Sequence, residues 1–136
     1  MVLGPTHIEH VAIWTADLER LRAFYELHFG ARAGARYSNP AKQFQSYFLS
    51  FDSGARLELM ARPSVAGAPS LATPSATPSG YAHLAISVGS RARVDELTAR
   101  LRGAGVPVLD GPRQTGDGYY ESLVLDPDGN RVEIAV

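Results

Sequence analysis

Val11 and Ile13 alternate with His10, Ala12 and Trp14 near the start of the chain. That period of two is the pattern of a half-buried strand, expected over residues 7–14. Leu18, Leu21, Phe24, Tyr25 and Phe29 then recur at helical spacing behind Thr15 or Asp17 as the cap, and Gly30 stops the run. Three further strands are expected at 32–38, where Ala and Gly weaken the signal, at 44–51 and at 55–62. The same order then returns. A strand at 81–88 precedes a helix that carries Val94, Leu97, Leu101 and Ala104 after Ser90 and meets Gly103 and Gly105 at its end. Strands follow at 107–110, 118–125 and 131–136, the last behind the turn signal Asp126-Pro-Asp-Gly129.

The second half echoes the first. His10-Val-Ala-Ile-Trp14 is matched by His83-Leu-Ala-Ile-Ser87, 73 residues on. Gly54-Ala-Arg-Leu-Glu-Leu59 is matched by Gly129-Asn-Arg-Val-Glu-Ile134, 75 residues on, and a loop absorbs the difference of two. The single domain 1–136 is therefore two copies of one unit, 7–62 and 81–136. Between them, 63–80 carries Pro63, Pro69, Pro74 and Pro78 among Ser, Ala, Thr and Gly. Such a stretch cannot pair into a sheet and is a linker, which either covers neighbouring structure or hangs in solvent.

Alternation also sorts the polar residues. With the aliphatic phase packed under the helices, His10, Glu58, His83 and Glu133 all project to the opposite side of their strands. Any one of them alone is an ordinary solvated strand residue. Together, at matching positions of both repeats and in the correct phase, two histidines and two carboxylates point to a metal site. His₂Glu₂ suits Zn²⁺, Ni²⁺, Co²⁺, Mn²⁺ or Fe²⁺, and ligand type alone does not choose among them.

Composition narrows the rest. With 136 residues, 45% of them hydrophobic and 20% charged, the chain is of a size and make-up to bury a core. A net charge of −1 without a basic cluster argues against nucleic-acid binding. No run approaches ~18 apolar residues, so no membrane span is expected. No secretory signal is visible at Met1–Thr6, and a cytoplasmic location is the expectation. Having no cysteine, the chain offers no thiolate ligand or nucleophile, so a metal must be held by His, Asp or Glu.

His10-Val-Ala-Ile, Leu57-Glu-Leu, Tyr81-Ala-His-Leu-Ala-Ile and Asp126-Pro-Asp-Gly-Asn-Arg-Val-Glu-Ile resemble the metal-binding strands of the vicinal oxygen chelate superfamily. That group includes glyoxalase I, bleomycin-resistance proteins and extradiol dioxygenases. The resemblance implies an α+β fold of two paired βαβββ modules whose curved sheets form a cup, helices outside, around one divalent metal. It also implies a homodimer acting on a small molecule. The ligand order His, Glu, His, Glu is similar to glyoxalase I (lactoylglutathione lyase), which puts Ni²⁺ or Zn²⁺ first. By the same resemblance Glu133 is the proton-carrying carboxylate, Glu58 its counterpart, and the reaction a lyase or isomerase step through a metal-stabilised enediolate. The alternative is a non-catalytic, resistance-type binding module of the same superfamily. Glyoxalase I usually has Arg four residues after the first ligand and Asn four after the second; here these are Trp14 and Arg62, and residues 111–120 hold no lysine. Metal binding is thus better supported than glutathione dependence.

Other residues take lesser parts. Trp14, Met60, Tyr119 and Tyr120 are candidates to line a substrate pocket near the metal, or else are core or rim aromatics. Arg56 and Arg131, two residues before each glutamate and on the same face, either support the carboxylates or are solvated. His7 is an ordinary surface histidine, and His28 sits at a helix C-terminus, where a cation favours the dipole.

Overall fold

In a computed structural model that describes residues 4–66, 77 and 79–136, the chain divides into two units, 1–68 and 69–136. Each is set out by itself. The first runs β1 (His10–Trp14), α1 (Leu18–Phe29), β2 (Arg32–Ala33), β3 (Tyr37–Asn39), β4 (Phe44–Ser50) and β5 (Arg56–Ala61). The second runs β6 (Leu84–Ser87), α2 (Arg91–Gly103), β7 (Val108–Gln114), β8 (Tyr120–Leu125) and β9 (Arg131–Ala135). The class is α+β as expected, and the strand–helix–strands order repeats.

Both sheets are mixed in the same way. β1 pairs in parallel with β5, which pairs antiparallel with β4, and β2 and β3 both pair with β4. The second sheet has the order β6-β9-β8-β7, with β6 and β9 parallel. The expected strand 32–38 is split in two, because Gly34 to Arg36 leave the ladder. The expected 107–110 strand instead runs on to Gln114, with register shifts that set Pro112 in an irregular stretch where its missing N–H costs no ladder bond. Gly111 makes this possible: at φ +80°, a Cβ would meet the Glu121 carbonyl oxygen at 2.6 Å.

One helix covers one face of each sheet. Leu18, Leu21, Phe24 and Tyr25 of α1 bury against Tyr47, Leu49, Leu57 and Leu59. Val94, Leu97 and Leu101 of α2 bury against Val124, Val132 and Ile134. Each such side chain contributes roughly 1.5–3 kcal/mol through the hydrophobic effect. Capping fixes where the helices begin. Asp17, rather than Thr15, is the cap of α1, its carboxylate accepting from the Arg20 N–H at 3.0 Å, while the Thr15 hydroxyl accepts from the Asp17 N–H. Ser90 caps α2 in the same way, and Gly30 closes α1 in the left-handed region. The linker expected at 63–80 lies largely outside the described residues. Among the described residues, no helix is long and apolar enough to cross a membrane.

Candidate metal centre

With the helix on one face of each sheet, the other phase of every strand faces away from it. In the first unit β1 and β5 align Ala12 with Glu58 and Trp14 with Met60, and β4 sets Phe48 beside Glu58. His10, two residues from Ala12, therefore shares a face with Glu58. Its Nε2 lies 3.6 Å from Glu58 Oε1. In the second unit Ala85 aligns with Glu133, and His83, just before β6, places its Nε2 2.6 Å from Glu133 Oε1. The register that makes one pair makes the other, and both imidazoles keep 40% of their side-chain surface open.

The surroundings of the pairs differ. In the first, His10 Nδ1 lies 3.4 Å from Glu9 Oε1 and its ring meets the Phe48 ring edge-on at 5.2 Å. Arg56 does not reach for Glu58. It forks onto Glu9, with Nε donating to Oε2 at 3.1 Å and Nη2 to Oε1, and its guanidinium stacks on Phe48 at 4.1 Å. The hydrogen bond from Arg56 holds the Glu9 carboxyl below its ordinary value. In the second unit a third carboxylate joins. Glu121, on β8 two residues from Leu123, the register partner of Glu133, hydrogen-bonds to Glu133. That bond pushes the Glu121 carboxyl up, helped by burial and by the charge of Glu133 and opposed by Arg113. At the matching position of the first unit stands buried Ser46.

The structure thus brings the four expected ligands together two by two. Among the described residues, no group of three or more His, Asp or Glu could hold a metal ion. The donors nevertheless fit one, since each unit sets an imidazole nitrogen and a carboxylate oxygen side by side, half-open, on a face free of its helix.

Of the expected pocket residues, Trp14 and Met60 lie on the same face as Glu58. Tyr119 is exposed. Tyr120 is a correction: its hydroxyl donates to Asp95 Oδ1 at 2.5 Å and Arg91 stacks on its ring, so it lies on the α2 side, away from Glu133. Arg56 is a second correction, being Glu9's partner rather than Glu58's. Arg131 and His7 are exposed, and His28 packs its ring on Phe24 at 5.0 Å. Glu9 and Glu121 were not singled out from the sequence, although Glu121 falls in the same strand phase as Leu123, opposite buried Ser122 and Val124.

The profile of the Glyoxalase/Bleomycin resistance protein/Dioxygenase superfamily matches residues 7–134, and the chain belongs to that superfamily. An uncharacterized Pseudomonas aeruginosa protein, PA2024, is 33% identical over 137 residues, covering 98% of this chain and 89% of that one. The trypanothione-dependent glyoxalase I of Leishmania major superimposes with a TM-score of 0.73 at 27% identity, over 96% of this chain and 86% of that one. Glyoxalase I of Zea mays shares the fold (TM-score 0.76, 21% identity), this chain matching over 95% of its length but spanning only 44% of the maize chain.

Proposed function

We propose that the chain is a divalent-metal-dependent lyase or isomerase of the glyoxalase I type, with His10, Glu58, His83 and Glu133 as one four-donor set. The observation that carries the reading is the repetition of one imidazole–carboxylate pair at one register in both units. Similarity to the Leishmania enzyme supports it. His₂Glu₂ accepts several divalent ions, and the likeness to glyoxalase I puts Zn²⁺ or Ni²⁺ first. Once bound, such an ion supplies Lewis-acid stabilisation of a substrate oxyanion.

The protein's own part is to move a proton. Loss of a C–H beside a carbonyl needs a carboxylate base that afterwards returns the proton to the neighbouring carbon. Glu133 is placed for that role. It is half-buried on an open face, His83 fixes one of its oxygens at 2.6 Å, and Glu121 sets a second carboxyl against it.

The test is metal loading followed by a methylglyoxal assay with and without glutathione. The proposal expects divalent ion bound in stoichiometric amount and turnover that chelation abolishes. Stoichiometric metal without turnover of methylglyoxal or other 2-oxo compounds would leave a binding module. Well under one ion per four-donor set, after reconstitution, would overturn the metal site itself.

A further inference from the structure

Beyond the two pairs, the first unit holds a cleft of about 670 Å³, within the range of small-molecule sites. Ala16, Asn39, Gln43, Phe44, Gln45 and Arg62 line it with four others, and Arg62 is the one charged residue among them. No carboxylate takes part in the lining. The Arg62 guanidinium is instead stacked on the Trp14 ring, 4.3 Å from its centroid, and among the described residues it makes no ion pair with an acid. The aromatic surface continues from Trp14 to Phe44, edge-on at 6.2 Å, and from Phe44 to Tyr37 at 6.0 Å. Trp14 and Tyr37 keep 42% and 55% of their surface exposed. Open rings beside a guanidinium held flat and left without a counter-ion form a surface for a planar anion.

Two details show that the cleft is held in shape. Gln43 is the single described non-glycine residue in the left-handed region, at φ 53°. That conformation is unfavourable for a side chain with a Cβ, and the turn holds it with the Gln43 N–H donating to the Pro40 carbonyl at 3.2 Å and the Lys42 N–H to the Asn39 carbonyl. Gln45 has its side-chain oxygen occupied by Arg36, which leaves its amide N–H groups as the free donors. In the second unit Ser87 stands where Trp14 stands in the first.

Position ties the cleft to the proposed centre. Trp14 and Arg62 follow His10 and Glu58 by four residues each, Trp14 at the end of β1 and Arg62 one residue past the end of parallel β5, about 13 Å along at 3.3 Å per residue. We propose that the cleft at Arg62, with Trp14 stacked against that arginine, binds the far end of the substrate, and that this end is an aromatic or heteroaromatic ring bearing a carboxylate. The substrate class is then an aromatic organic acid whose oxygen donors lie about 13 Å or less from the carboxylate. This assignment of substrate rests on the metal-centre reading, whereas binding in the cleft does not.

Trp14 is the chain's only tryptophan, so its emission reports on the cleft through the Arg62 guanidinium stacked on its ring. Metal-stripped full-length protein is titrated with benzoate, benzamide, acetate and phenylpyruvate. Saturable quenching by benzoate and phenylpyruvate is expected, with benzamide and acetate at least ~10-fold weaker, since each lacks one half of the recognised group. Arg62→Met should weaken benzoate at least ~10-fold, and Arg62→Lys should recover part of that, with melting temperature unchanged in both. Equal binding of benzamide and benzoate, or undiminished benzoate binding by Arg62→Met confirmed by calorimetry, would overturn the proposal. Because no metal is present, failure here leaves metal loading intact, and failure of metal loading leaves this titration unaffected.

Discussion

The two halves of this chain use one frame to hold two unlike pairs. In both, the first and last strands run parallel and set a histidine beside a glutamate, over a core of aliphatic side chains under one helix. Around that constant the halves diverge. The His10–Glu58 pair is open at 3.6 Å, and an arginine-bound carboxylate flanks the far side of the imidazole. The His83–Glu133 pair is closed at 2.6 Å, with Glu121 against the glutamate. Repetition fixed the positions of the donors, while the residues one register away changed what each donor is suited to do. On the proposed reading the first half only holds the metal, while the second also carries the proton-moving carboxylate.

The frame itself is the first thing to break. Leu59 and Ile134 are fully buried at matching positions, 75 residues apart. Leu59→Ala and Ile134→Ala should each cost about 2–5 kcal/mol in urea unfolding. A loss in one and none in the other would mean that the two cores are not equivalent. The functional asymmetry is tested next: Glu133→Gln should lower turnover at least ~10²-fold, the usual worth of a positioned base, while keeping metal. Glu58→Gln should cost distinctly less turnover at matched metal occupancy, and equal losses would erase the distinction drawn between the halves.

Weaker tests address how the helices are tied down. Tyr47 and Ser122 occupy matching strand positions and both bond to the helix above, Tyr47 to Glu19 at 2.7 Å and Ser122 to the buried Thr98 hydroxyl at 2.7 Å. Thr98→Val leaves Ser122 buried without that partner and should cost about 1–3 kcal/mol. Tyr47→Phe, whose partner Glu19 reaches solvent, should cost only about 0.5–1.5 kcal/mol. A larger loss from Tyr47→Phe would reverse the ranking. The smallest effect is expected at Asp110, whose carboxyl Arg113 holds below its ordinary 3.8. A lowered folded-state value stabilises above the ordinary one and is lost as pH falls through the folded one. Asp110→Asn should therefore melt slightly below wild type at pH 7, with the gap closing below about pH 4. A gap that widens on acidification would contradict the Asp110–Arg113 pairing.

The two histidine–glutamate pairs were legible because a strand has a period of two and the repeat supplied a second reading of the same phase. His10 with Glu58 and His83 with Glu133 needed no more than that. Tyr120 was not, since Leu123, Val124 and Leu125 are consecutive apolar residues that leave the phase of β8 ambiguous. Arg56 was misplaced for a different reason. Position along a strand puts it near Glu58, but the cross-strand register puts it opposite His10 and within reach of Glu9, and register is not written in one strand's pattern. The turn at Gly34 and the irregular course of β7 past Pro112 depend on tertiary pairing that local propensity does not encode.

The parallel pairing also governs when the site comes into being. His10 and Glu58 are separated by 48 residues and His83 and Glu133 by 50, and in each half the two strands that carry them are the first and the last made. Parallel neighbours cannot be joined by a hairpin, so every intervening element must be spanned before they meet. Contacts this far apart in sequence are slow to form, because the entropy of closing the loop is lost before the ladder returns it. A nascent chain that has emerged as far as β4 holds no pair, and one that stops at β8 holds only the first. Each histidine–glutamate pair is thus acquired only when the last strand of its half is made, so that an early-released or truncated chain carries its histidine without the carboxylate that belongs beside it.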